Sequence, residues 1–170
     1  MGSRLLYLDW SKRDFAAWLG KHDFSEELRR GCLSGDLEAK AISYHPHQLN
    51  EAECRETRMF YGEFLDSADM GLYEAFEAAM VSVFLDILGQ TRKFYLVKHN
   101  KLSLIKKEKT LRQHIVKALR HEDFVVFVLP DKKSVIVSGY DLTWELYSWV
   151  SLSQNTVVND FKGHPLINVW

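Results

Sequence analysis

Between Ser67 and Leu88 the apolar residues recur at steps of three and four. Leu72, Phe76, Met80, Val83, Phe84 and Ile87 fall on one stripe, which predicts a long amphipathic helix. Ser67 stands where an N-cap acceptor belongs, and Gly89 where a left-handed terminator belongs. Shorter helical patterns precede it. Ser11-Lys12-Arg13-Asp14 reads as a capping box opening a helix to Leu19, Ser25 as the cap of Glu26–Arg30, and Asn50 as the cap of Glu51–Leu65. Leu5–Leu8 has the makings of a short strand. The Gly31–His47 stretch is ambiguous, with a helical turn near Leu37–Ile42 and a break at Pro46.

After Gly89 the period shortens. Lys93–Lys98 and Leu102–Lys106 read as strands joined by a turn at His99-Asn100-Lys101. A basic helix runs from Thr110 to about Leu119, with Leu111, Ile115, Ala118 and Leu119 inward. Phe124–Leu129, a Pro130-Asp131-Lys132-Lys133 turn and Ser134–Ser138 then form a hairpin rich in Val, Phe and Ile. Leu142–Ser148 alternates as a further strand, the alternative being a helix capped by Asp141 or Thr143. The tail from Asn155 is irregular, with an edge strand at Leu166–Trp170. Helices first and strands later imply an α+β fold: N-terminal helices packed on an antiparallel sheet from the C-terminal half. With 170 residues and no proline- or glycine-rich linker, we expect a single domain over 1–170, helical over 1–89 and strand-rich over 90–170.

Composition agrees with a folded chain, 46% of it apolar. The longest apolar stretch, near Ala78–Leu88, is interrupted by Ser82 and Asp86 and too short to span a bilayer; Asp9 comes too soon for a secretory leader. These features and only two cysteines, Cys32 and Cys54, lead us to expect a cytoplasmic protein in a reducing compartment, with one disulfide left open. Charge changes the picture more. Residues 51–90 hold nine acidic side chains against two basic ones, and residues 91–133 hold twelve basic against four acidic. Such sorting gives one surface that repels a charged partner and another that attracts it.

Candidate chemistry is sparse. His45-Pro46-His47 places two imidazoles where an extended segment can share one metal ion, but the paired cysteine knuckle of a structural zinc site is absent and two solvated histidines are the simpler account. No nucleophile elbow, phosphate loop or G-x-G-x-x-G occurs, so no enzyme activity and no cofactor are expected. Glu63, Asp66, Asp69, Glu74 and Glu77 form an acidic arc interleaved with aromatics, among them Tyr73, and such an arc suits a protein partner with a basic site. Tyr140, Asp141 and Trp144 make a second patch. The basic segment 91–120, including Lys98, Lys101, Lys106, Lys107, Lys109, Arg112, Lys117 and Arg120, is dense enough to neutralise several phosphates.

The run from Phe124 to Ser148, strand, charged turn, strand, then Tyr140-Asp141 leading to a further strand, resembles a pattern in small immunity proteins of bacterial toxin systems. The resemblance implies a cytoplasmic protein without chemistry of its own that docks on a toxin and blocks its active site. We therefore expect an immunity-type inhibitor of a toxin with a positively charged site, contacted by the acidic arc and the second patch. The alternatives are a nucleic-acid or nucleotide binder using residues 91–120 and a metal-dependent enzyme at His45 and His47.

Overall fold

The computed structural model describes residues 24–56, 67–98, 101–139 and 142–170. The strand expected at Leu5–Leu8, the helix expected from Ser11 and the continuation of the Glu51 helix past Glu56 lie outside them. In chain order the elements are α1 (Phe24–Ser34), β1 (Glu38–Ser43), α2 (Glu51–Glu56), α3 (Ser67–Gln90), β2 (Tyr95–Lys98), β3 (Lys101–Leu104) and α4 (Glu108–Leu119). There follow β4 (Val126–Leu129), a 3-10 turn (Pro130–Lys132), β5 (Ser134–Val137), β6 (Thr143–Ser148), α5 (Thr156–Lys162) and β7 (Asn168–Val169). The architecture is α+β, as expected, with the long helix against an antiparallel sheet of seven strands ordered β3-β2-β4-β5-β6-β1-β7.

Strand alternation sends side chains to two unlike faces. On one, Ile42, Leu96, Phe127, Ile136, Trp144 and Leu146 pack against α3, α4 and α5. Phe84 of α3 sits at the centre of this core, its ring 5.2 Å from Phe127, 5.2 Å from Trp144 and 5.3 Å from Phe161. Offset and edge-on rings at such separations add to their burial. On the other face Tyr95, Leu102, Val126, Val128 and Val135 lie under Leu28 and Leu37. α1 thus covers the β2–β5 part of that face.

Three expectations are corrected. The Leu37–Ile42 stretch is no helical turn but strand β1, and it places a strand from the N-terminal half between β6 and β7. The chain reaches β1 through Gly35, whose φ of +75° closes α1 while the Asp36 N–H donates to Gly31 O at 2.9 Å. Gly89 does not end α3, which runs on to Gln90. The tail is not irregular: Val157, Val158 and Phe161 are buried on one face of α5, capped by Asn155. Leu142–Ser148 resolves as strand β6, and the edge strand appears as β7. In α4 the buried residues are Leu111, Ile115, Ala118 and Leu119, the four expected.

Candidate functional site

α3 carries the described part of the acidic arc; Glu63 and Asp66 lie outside the described residues. Packing splits what remains. Tyr73 is 2% exposed and its hydroxyl donates to Leu119 O at 2.7 Å, so it joins α3 to the end of α4 and offers nothing to a partner. Glu77 accepts a bidentate pair from Arg120, Nε to Oε2 at 2.8 Å and Nη2 to Oε1 at 2.9 Å. One carboxylate of the arc is therefore spent on a cation of the basic segment. Asp69 is half-buried in the first turn, and Glu74 is exposed. Of the arc's described acids, Glu74 is the exposed one.

Between Asp69 and Glu74 stand residues that the sequence did not single out for binding. Met70 is 46% exposed and Leu72 47%. Leu72 was expected on the buried stripe, but Tyr73 takes the inward position of that turn. Gly71, Ala75 and Ala78 are also exposed, so the outward surface of the first turns of α3 is apolar with acidic neighbours. A helix with apolar residues all round is ordinarily covered on all sides. The available signal was the off-stripe methionine beside Asp69.

The second patch does not assemble at the surface. Trp144 is fully buried, its ring stacked on Phe127 at 6.2 Å and tilted on Phe84. It lies in β6, between β5 and β1, an interior strand rather than the sheet edge. Tyr140 and Asp141 lie outside the described residues.

The histidine pair separates too. His45 is 7% exposed, while His47 is exposed with Nε2 3.0 Å from Glu53 Oε1. Glu53 also accepts from the Asn50 N–H at 2.8 Å, while Asn50 Oδ1 accepts from Ala52 and Glu53 N–H groups, completing the expected cap of α2. The Asn50 bond and then His47 hold the Glu53 carboxyl below its usual range. Among the described residues no three His, Cys, Asp or Glu side chains are grouped to hold a metal ion. Cys32, on α1, is a free thiol, half-buried against the sheet, and burial followed by the charge of Glu145 pushes its proton affinity up.

The basic segment presents an open face. Arg92, Lys93, Lys106, Lys107, Lys109, Arg112 and Lys117 are exposed, and none of their side chains forms an ion pair with a described residue. No helix among the described residues is long and apolar enough to cross a membrane. Comparison with known proteins returns no matching family model, no matching curated protein and no matching solved structure.

Proposed function

We propose that the protein is an immunity-type inhibitor, which binds a protein toxin through the outward face of the first turns of α3 and occludes a positively charged active site. The observation that carries this reading is the exposure of Met70 and Leu72 between Asp69 and Glu74. Exposed apolar side chains set among charges mark interaction surfaces, because the apolar atoms supply the area to be desolvated and the charges orient the encounter. Glu74 takes the steering role, Met70 and Leu72 the anchoring role that Tyr73 cannot.

The test is capture followed by inhibition. Tagged protein should retain a basic enzyme from native lysate and abolish its activity at equimolar ratio, while the Met70→Ala/Leu72→Ala double variant should neither retain nor inhibit it. Equal capture and inhibition by the variant would remove α3 from the reading. Capture of an enzyme whose activity is untouched would remove inhibition.

A second reading, binding of a nucleic acid or nucleotide by residues 91–120, is favoured by the seven exposed cations on and before α4 that form no ion pair with a described residue. It requires affinity that falls steeply with salt, since each neutralised phosphate releases counterions. Filter binding of a single-stranded oligonucleotide between about 50 and 200 mM salt separates the two readings: no retention at the lowest salt sinks this one.

A further inference from the structure

On the sheet face that α1 partly covers, the part α1 leaves open holds a cleft of ≈ 840 Å³, over β6, β1 and the end of β5. Register explains it. In β1 the residues on this face are Ala39 and Ala41, paired with Tyr147 and Glu145, so a floor without bulk faces two large side chains. Phe124, 54% exposed, and Trp170 complete the aromatic lining. The Trp170 indole N–H is spent on His45 O at 3.0 Å, and its backbone pairs with Ala41, which fixes that wall to β1.

Among the described lining residues one carboxylate, Glu145, borders this cleft. The Tyr147 hydroxyl donates to Glu145 Oε2, while Oε1 has no partner among the described residues. Burial and then the bond to Glu145 hold the Tyr147 proton in place well above the ordinary tyrosine range, so the tyrosine stays a donor and Glu145 the acceptor. Lys40 also borders the cleft, but its register partner is Leu146 of the helix-covered face. Its side chain therefore departs from the opposite side of the strand.

We propose that this cleft binds a small organic cation, a primary ammonium or guanidinium on a flat hydrocarbon body, with Glu145 as counter-ion and Phe124, Tyr147 and Trp170 as aromatic walls. A fixed carboxylate beside π-faces is the chemistry that selects such a cation over its neutral analogue, because the ring quadrupoles and the charge act together. Its volume lies within the range of small-molecule sites. The site is independent of the α3 surface, on the other side of the sheet.

Phenethylammonium and the neutral phenethyl alcohol, titrated calorimetrically into the full chain, test the proposal. The ammonium should bind saturably and at least about tenfold more tightly than the alcohol. Glu145→Gln, an exposed and nearly isosteric change, should erase that preference, and Ala41→Leu should block both probes by filling the floor. Absence of saturable ammonium binding, equal binding of the two probes, or an undiminished preference in Glu145→Gln each overturns it.

Discussion

Asn155 shows how much one side chain can hold. It is 2% exposed; Nδ2 donates to Ser134 Oγ at 2.8 Å and Ser148 Oγ at 2.7 Å, and Oδ1 accepts from the Val157 N–H at 2.9 Å. A single amide thus caps α5 and fastens it to the paired ends of β5 and β6. Asn155→Ala removes the cap and strips two buried hydroxyls of a donor, at about 2–3 kcal/mol. A melting temperature lowered by roughly 5–10 °C is the expected reading in a thermal scan; a change under a degree would mean that water replaces the amide without loss. Tyr73 and Trp144 make the complementary point. Both are amphipathic aromatics, and nothing local in the sequence says whether the polar end reaches water. Tyr73 is buried because Leu119 O, forty-six positions away, accepts its proton. The exposed anchor expected from sequence was lost to a partner that only the tertiary fold supplies.

At the scale of elements, legibility follows the range of the forces involved. The inward residues of α3 from Phe76 onward and of α4 are stated by local periodicity, and the β4–β5 hairpin by its branched residues and turn, so these elements were legible. β1 was not. Glu38-Ala-Lys-Ala-Ile-Ser43 has little strand propensity of its own and is a strand because β6, a hundred residues later, pairs with all six positions. The α3–α4 contact can be measured directly. A double-mutant cycle on Glu77→Ala and Arg120→Ala should give a coupling of about 1 kcal/mol, since the pair is bidentate but partly solvated. Coupling near zero would show that the two helices are held by Tyr73 and the apolar core alone. The α3–α5 contact carries a pH dependence. Asp160 Oδ2 is buried without a hydrogen-bond partner among the described residues. Burial raises the carboxyl, Lys132 and the bond to Gln90 oppose the rise, and Asp86 adds to it. The folded state therefore keeps this proton to higher pH than the unfolded chain does. The resulting stability is complete below the ordinary aspartate range and is lost as pH rises through the raised value. Asp160→Asn should melt above the parent protein at pH 7, with the gap closing by about pH 3. A gap that is constant with pH would assign the effect to packing rather than ionisation.

For the whole molecule, the sorting of charge along the chain becomes a division of one helical layer. The acidic α3 and the basic α4 lie side by side, and Glu77 with Arg120 cancels one charge of each where they meet. Among the described residues, what remains outward is unlike on the two sides: Glu74 beside the exposed Met70 and Leu72 on α3, and exposed cations without ion-pair partners on α4 and its approach. The two features act on different rate constants. Charges at the margin of a contact set the frequency of productive encounters and are screened by salt, whereas desolvated apolar anchors set the residence time. With a captured cationic partner immobilised, Glu74→Lys should slow association by about threefold, flatten its salt dependence and leave dissociation nearly unchanged. Met70→Ala/Leu72→Ala should do the reverse, speeding dissociation with association intact. If the charge-reversed variant instead binds faster, the partner is itself acidic at its contact, and the cationic side of α4 becomes the surface that meets it.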